Sequence, residues 1–171
     1  MAIPADDLTR ALVVARPETD DDLQHLGVAG DVYTILVSGK DTAGRFCLID
    51  MYVPPGGGPP PHRHDFEETF SLLEGELEAT FRGQKMIVRA GETLNIPANA
   101  PHQFHNSSDK PVRMLCICSP SGNEELFEEV GVRVTTRTSA APPPTEEQKQ
   151  ALAEKLPGLL LKYKTEMLPH G

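Results

Sequence analysis

The sequence predicts an all-β fold, a sandwich or barrel of antiparallel strands, followed by a helical extension. Between residues 31 and 120 the chain consists of short runs rich in β-branched, aromatic and aliphatic residues, each bounded by Gly, Pro, Asn or Asp. Short strands at this spacing are typical of antiparallel sandwiches and barrels. Helix signals appear only after this region.

Length and composition indicate one ordinary domain. At 171 residues the chain can bury a core without needing disulfides or a metal merely to fold. Its 39% hydrophobic and 24% charged residues suit a soluble globular protein, and no apolar run approaches the roughly 20 residues of a membrane-spanning helix. The N-terminus, MAIPADDLTR, carries acids where a signal peptide carries a basic patch, so we expect a cytoplasmic protein without membrane partners.

Charge and cysteine content narrow the classes of partner. A formal net charge of -9 opposes binding to a phosphate backbone, so we expect no nucleic-acid partner. Cys47, Cys116 and Cys118 are odd in number and lack CxxC spacing. They therefore fit reduced thiols better than a disulfide framework.

Eight strands are predicted in the central region. Turn-forming pairs fall between them, such as Glu74-Gly75, Arg82-Gly83 and Ala90-Gly91, and Ser38-Gly39 is expected to make a further turn. The predicted strands are residues 32–38, 45–53, 68–74, 76–82, 84–89, 92–97, 101–107 and 112–119.

The elements after the last strand are predicted from capping signals. Ser121 is expected to cap a short helix over residues 123–130, with Gly131 as its stop, before a further edge strand over residues 132–138. The run AAPPP, residues 140–144, reads as a stiff linker.

A second helix is predicted to open at Thr145, run to about Leu156 and break at Pro157-Gly158. The apolar segment 159–168 should dock across a mouth of the barrel or against another subunit, and His170 is expected to be idle. The boundaries are an N-terminal arm (1–30), a β-barrel (31–138), and a linker with a C-terminal helix (139–171).

Residues 56–75, GGGPPPHRHDFEETFSLLEG, carry the first candidate metal ligands. Alternate side chains of a β-strand share a face, so His62 and His64 project to the same side about 6 to 7 Å apart. A bend then lets Glu68 enter from the start of the next strand. These three side chains are placed to converge on one ion.

Residues 91–106, GETLNIPANAPHQFHN, supply the fourth candidate, because the turn from Pro97 to Pro101 delivers His102 onto a strand. Three imidazoles and one carboxylate suit a single divalent transition metal: Fe, Mn, Ni, Co, Cu or Zn. With four protein ligands, an octahedral ion keeps two adjacent positions for water, oxygen or a chelating substrate.

Together these residues resemble the cupin superfamily, whose first motif is G-x5-H-x-H-x3,4-E-x6-G and whose second is G-x5-P-x-G-x2-H-x3-N. The first motif is met by Gly56, His62, His64, Glu68 and Gly75. The second is met by Gly91, Pro97, His102 and Asn106, with Asn99 in the usual place of a glycine. The residues of the motifs are similar to those of small single-domain cupins labelled quercetin-dioxygenase-like. The resemblance implies a double-stranded β-helix, or jelly roll, with one metal inside.

A largely apolar pocket is expected beside the metal. Strand parity places Glu67 and His105 outside the barrel, and Asn106 is expected to anchor its turn more than to contact a ligand. The cysteines are expected to be inert core thiols unless the face shared by Cys116 and Cys118 turns inward beside the metal. The residues expected to line the pocket are Phe70, Leu72, Phe104, Met114 and Cys116.

The function that this interpretation favours is a metal-dependent oxidoreductase of the dioxygenase type. Its substrate would be small, largely neutral or aromatic, and bound through oxygen, with Glu68 as metal ligand and catalytic proton acceptor. Two alternatives stay open: a non-catalytic cupin that binds or senses a small molecule, and a metal-dependent isomerase or decarboxylase. Barrel edges and the apolar tail make a homodimer the expected assembly.

Overall fold

Two antiparallel sheets share one hydrophobic core in the computed structural model, which describes residues 3–169. The strands are β1 (His25–Val28), β2 (Asp31–Val37), β3 (Cys47–Val53), β4 (His62–His64), β5 (Glu67–Glu74), β6 (Glu76–Phe81), β7 (Gln84–Arg89), β8 (Thr93–Ile96), β9 (His102–His105), β10 (Val112–Ser119), β11 (Val132–Arg133) and β12 (Thr165–Met167). The helices are α1 (Gly39–Thr42), α2 (Asn123–Val130) and α3 (Glu146–Lys162).

The strand order confirms the predicted jelly roll with a C-terminal helix. One sheet has seven strands in the order β11-β1-β2-β3-β10-β5-β8, and the other has five in the order β12-β4-β9-β6-β7. Along β10 the even-numbered side chains from Val112 to Cys118 are buried, whereas the residues between them are more exposed. This alternation gives each sheet one inward face.

Side chains from both sheets fill the interior. Ile49, Leu72 and Met114 come from the larger sheet, and Leu77 and Phe104 from the smaller one. All five are buried. A barrel of this size is closed by its own side chains, so a ligand site has to be built from the same residues as the core.

The eight predicted strands are all present, with ends within two residues of those expected. Two strands were not predicted: β1, which pairs with β2 and β11 within the expected N-terminal arm, and β12. The three-residue β4 carries His62 and His64, whose spacing implied a strand there. The turn expected at Ser38-Gly39 instead opens α1, a single helical turn, because the Asp41 carboxylate accepts a hydrogen bond from the Ser38 backbone N–H at 2.8 Å.

The start of α2 differs from the prediction that Ser121 caps it. Gly122 is the N-cap, and the Glu124 carboxylate accepts hydrogen bonds from the backbone N–H of Gly122 at 2.8 Å and of Gly39 at 2.7 Å. The end at Gly131 is as predicted. The strand expected over residues 132–138 extends only over β11.

The predicted break at Pro157 is wrong, because α3 continues through it to Lys162. Proline removes one backbone donor, which leaves the carbonyl of Ala153 without its helical partner. Both residues are exposed, so water can bond to that carbonyl.

The segment after α3 docks on the barrel by strand pairing. Tyr163 caps the helix, and β12 then pairs antiparallel with β4. No helix within residues 3–169 has the length and apolarity needed to cross a membrane. The expectation for His170 falls outside the described residues.

Candidate metal centre

Three strands from the two sheets deliver the predicted ligands to one point in the barrel. His62 and His64 lie on β4, and His102 lies on the adjacent β9, directly opposite His62 in the strand register. Glu68 enters from β5 in the other sheet, where it lies between Ile96 of β8 and Cys118 of β10. The centre therefore depends on the packing of the two sheets.

The structure brings all four predicted ligands together. The Nε2 atoms of His64 and His102 each lie 3.1 Å from Oε2 of Glu68. The His62 ring is 4.3 Å from the His102 ring between centroids, and one donor atom from each residue lies within 4.8 Å of the others. His64, Glu68 and His102 are buried, while His62 is partly exposed at one side of the cluster.

The far nitrogen of each imidazole is held by a backbone carbonyl. A carbonyl oxygen can only accept, so each Nδ1 carries the hydrogen, and the Nε2 lone pair of the neutral ring is left for the cluster. The acceptors are Pro60 for His62 (2.8 Å), Phe66 for His64 (3.0 Å) and Ala100 for His102 (2.9 Å). Bonds of this kind orient the histidine ligands of metals in proteins.

The resulting donor set fits a divalent transition metal. In the neutral tautomers, lone pairs of His64 and His102 point at the lone pairs of the Glu68 carboxylate at hydrogen-bond distance. Facing acceptors need a cation or added protons between them. Three imidazole nitrogens and one carboxylate oxygen are borderline ligands that suit Fe, Mn, Ni, Co, Cu or Zn.

The local environment favours the charge states that a metal requires. Burial, followed by the neighbouring His102, lowers the pKa of His62 to about 4, so this imidazole is neutral at pH 7. Burial alone would raise the pKa of Glu68, but its contacts with His102 and His64 outweigh burial and hold that pKa below the ordinary value. A neutral imidazole and an ionised carboxylate are the forms that bind metals.

The loop before His62 lies flat against the second motif. Gly56 donates its N–H to the Asn106 carbonyl at 2.8 Å, and Asn106 donates its own N–H to the Gly57 carbonyl at 2.9 Å. Gly58, at φ +121, lies so close to the Phe104 carbonyl that a Cβ atom would clash with it. Only glycine tolerates both the conformation and the contact.

Asn99 and Asn106 have structural roles in the second motif. Asn99 has a left-handed conformation, φ +66, as expected where the family motif has glycine, and its N–H bonds the His64 carbonyl at 2.7 Å. The Asn106 amide donates to the carbonyls of Val53 at 3.0 Å and Lys110 at 2.8 Å. Both motifs are thus joined through the backbone as well as through the candidate ligands.

A small cavity of about 10 Å³ adjoins His102, which is roughly the room for one water molecule. Of the expected pocket residues, Phe70, Phe104 and Met114 line it. Leu72 is buried farther along β5, four residues from Glu68, and Cys116 contacts Glu68 instead. The remaining residues that line it are Leu77, Ala79, Leu94, Ile96, His102 and Gln103.

Several contacts at the centre were not predicted from the sequence. Phe66 stacks on the His64 ring at 3.7 Å between centroids, and its position two residues after His64 was the available signal. Leu77 and Ile96 reach the cavity from β6 and β8, where inward parity marks them as interior but does not say what they face. As predicted, Glu67 and His105 are exposed.

Two thiols approach the carboxylate from the side away from the histidines. Sγ of Cys116 lies 3.3 Å from Oε1 of Glu68, and Sγ of Cys118 lies 3.8 Å from the same oxygen. The contact with Cys118 lowers the pKa of Cys116, but burial and the charge of Glu68 outweigh it and raise that pKa to about 12. Without a metal, this thiol is therefore protonated at neutral pH.

Comparison with known proteins agrees with the geometry. Residues 49–118 match a family described as Cupin domain. Quercetin 2,3-dioxygenase from Bacillus subtilis (strain 168) is 29% identical over 61% of this chain, and auxin-binding protein 1 of Arabidopsis thaliana is 34% identical over 57% of it. These matches span 31% and 50% of the two relatives, less than two thirds of either.

A solved structure supports the fold. The crystal structure of a predicted oxalate decarboxylase from Thermotoga maritima matches with a TM-score of 0.56 at 18% sequence identity. It covers 63% of this chain and 98% of that protein. At this identity the similarity supports the jelly-roll barrel and carries no information on the reaction.

Proposed function

Because residues 49–118 of this chain form a cupin domain, we propose that the protein is a metal-dependent oxidoreductase of the dioxygenase type. The observation that carries the proposal is a largely buried cluster of three histidines and one carboxylate beside an apolar cavity. The similarity to a quercetin 2,3-dioxygenase gives this chemistry preference over isomerisation or decarboxylation.

The ligand residues would hold the metal through Nε2 of the three histidines and Oε2 of Glu68. A bound divalent ion supplies Lewis-acid and redox chemistry towards oxygen ligands. The ionised Glu68 carboxylate is the group at the cluster that would accept a proton from a substrate hydroxyl. The apolar side chains around His102 leave room for roughly one water molecule beside the cluster.

The cavity favours a small, uncharged substrate that binds through oxygen. Among the described residues that line it, none is lysine or arginine, so nothing there pairs with a phosphate or a carboxylate. A volume of about 10 Å³ is far below that of a drug-sized ligand, roughly 300 Å³ or more. Neither a catechol nor a flavonol fits a space the size of one water molecule, so both would require side chains to move, and the movement is smaller for a catechol or a β-diketone.

Oxygen uptake tests this proposal. The protein is loaded separately with Fe(II), Mn(II) and Ni(II) and assayed against catechols, β-diketones and flavonols. We expect uptake with at least one small chelator, abolished in Glu68→Gln and retained in the surface control His105→Ala. Absence of uptake with every metal and substrate class would overturn the oxidoreductase proposal.

A binding role is the second candidate, favoured by the similarity to auxin-binding protein 1. In that case calorimetry would show tight stoichiometric binding of a small molecule that mass spectrometry recovers unchanged. Substrate turnover by the loaded protein would exclude this alternative.

A further inference from the structure

Glu68 faces two donor sets, one on each carboxylate oxygen. Oε2 contacts His64 and His102, whereas Oε1 is directed at the thiols of Cys116 and Cys118. The histidine centre uses only the first of these sets. The two sulfurs lie 3.6 Å from each other and are fully buried.

The spacing of the second set matches tetrahedral metal coordination. Metal–sulfur bonds of roughly 2.3 Å at a tetrahedral angle place two sulfurs roughly 3.8 Å apart, and a metal–oxygen bond of roughly 2.0 Å places sulfur and oxygen roughly 3.5 Å apart. The observed values are 3.6 Å between Cys116 and Cys118, and 3.3 and 3.8 Å from these sulfurs to Glu68. All three donor atoms are therefore already at ligand spacing.

Neighbouring groups pack beside this set and support it. Cys47 lies on β3 directly opposite Cys118 in the strand register and is also buried, but it is not in the group of Glu68, Cys116 and Cys118 whose donor atoms lie within 4.8 Å of one another. The buried Asn123 amide donates to the sulfur of Cys118 at 3.6 Å. Amide donors to a ligating sulfur stabilise its thiolate form, as outer contacts commonly do at metal sites.

We propose that Cys116, Cys118 and Glu68 form a second metal site for a thiophilic divalent ion such as zinc. Glu68 then bridges two ions, one held by the histidines and one by the thiols. Two thiols each lose a proton to solvent as their metal–sulfur bonds form, and no group is oxidised. The two thiolates and the carboxylate offset the positive charge of the buried ion.

Titration of the metal-free, reduced protein with Co(II) under nitrogen tests the proposal. We expect two equivalents to bind and a thiolate-to-cobalt charge-transfer band to appear in the near ultraviolet. The double variant Cys116→Ser/Cys118→Ser should lose the band and one equivalent. His102→Ala should weaken the other equivalent at least tenfold and keep the band, so failure of the histidine site and failure of the thiol site are distinguishable.

X-ray absorption of the zinc-loaded wild-type protein tests the site without any substitution. At two equivalents of zinc we expect sulfur scattering at roughly 2.3 Å, with on average about one sulfur atom per zinc, since two thiolates are shared over two ions. Absence of sulfur scattering, or saturation of the wild-type protein at a single equivalent without a charge-transfer band, would overturn the proposal.

Discussion

At the scale of single residues, His102 is both a candidate metal ligand and a link between the sheets. Its Nδ1 is fixed by the Ala100 carbonyl, and its Nε2 contacts Glu68 from the opposite sheet. Changes outside the ligand shell typically cost about 10–100-fold in metal affinity. Loss of a ligand should cost at least as much.

We therefore predict that His102→Ala weakens metal binding at the histidine site at least roughly tenfold. The barrel should stay folded, because Phe104 and the rest of the core remain in place. Calorimetry against a competing chelator measures the affinity, and His105→Ala, exposed on the same strand, is the matched control. Undiminished affinity in His102→Ala would show that this residue is not a ligand.

Asp31 is a buried carboxyl group outside the metal centre. Burial raises its pKa to about 7, although hydrogen bonds from the Tyr33 hydroxyl and the Gly58 N–H oppose the shift. An acid with a raised folded-state pKa stabilises the fold fully below its unfolded pKa, near 3.8, and this contribution is lost as the pH rises through about 7.

We predict that Asp31→Asn becomes progressively more stable relative to the wild type as the pH is raised from 5 to 8. The change in relative stability should be of order 2–4 kcal/mol. Urea unfolding at pH 5, 6, 7 and 8 measures it, with the exposed Asp109→Asn as control. A difference in unfolding free energy that does not vary with pH would contradict the assigned titration.

At the scale of elements, β12 completes the sheet beside the first metal motif. The residues that flank β12 form backbone hydrogen bonds with the residues that flank β4. The Asp65 N–H donates to the Lys164 carbonyl at 3.1 Å, and the Leu168 N–H donates to the Pro61 carbonyl at 2.8 Å. Without β12, β4 would be an edge strand of three residues. Such a strand would hold His62 and His64 less rigidly.

Truncation after Tyr163 should therefore weaken metal binding about tenfold, an effect comparable to loss of an outer contact. The melting temperature should fall only slightly, because the core cluster contains no residue of this segment. Glu166→Ala is the control, since it removes only the exposed ion pair with Arg63, worth about 0–1 kcal/mol. Equal metal affinity in the truncated and full-length proteins would argue against a supporting role.

The elements that sequence predicted well are those with local signals. The alternation of buried and exposed side chains in residues 112–119 and the turn at Arg82-Gly83 are determined by neighbouring residues. Both are present in the structure. In contrast, Thr165–Met167 has no alternating pattern and becomes a strand only because it meets β4, a partner about 100 residues away in sequence. The persistence of α3 through Pro157 likewise depends on exposure, which the local sequence does not encode.

In the candidate site, too, some features are specified by the local sequence and others only by the packing of distant strands. The four candidate ligands follow from spacing and strand parity, and the structure brings one donor atom of each within 4.8 Å of the others. The direction of Oε1 of Glu68 towards Cys116 depends on the register between β5 and β10, which no local pattern specifies. The same holds for the pocket. The sequence marks Leu77 and Ile96 as interior residues, but it does not show that they lie beside His102.

At the scale of the whole molecule, a metal that binds only the folded protein should raise its stability. A ligand at 100 times its dissociation constant contributes about 2.7 kcal/mol, and each kcal/mol shifts the melting temperature of a domain of this size by about 2–4 °C. We predict a rise of about 5–10 °C in calorimetry, reversed by a chelator and reduced in His102→Ala. An unchanged melting temperature at saturating metal would contradict coupling between binding and folding.

The edge strand β7 offers a surface through which the expected homodimer could form. β7 lies at the edge of the five-stranded sheet, and Met86 and Ile87 on it are 43% and 42% exposed. Unpaired edges with apolar side chains favour association. We predict that light scattering after gel filtration gives twice the chain mass, reduced to one chain mass in Ile87→Asp. Ile117→Asp, 40% exposed on the central strand β10, should leave the dimer intact.

The flat contact of Gly58 on Phe104 has a consequence for protein design. The loop and β9 touch at the backbone, so the position of the first motif is fixed by the main chain of the second. A designer who moves this centre to another barrel must transfer both motifs and the glycine loop as one rigid insert. Copying the four side chains alone would leave their relative placement undetermined.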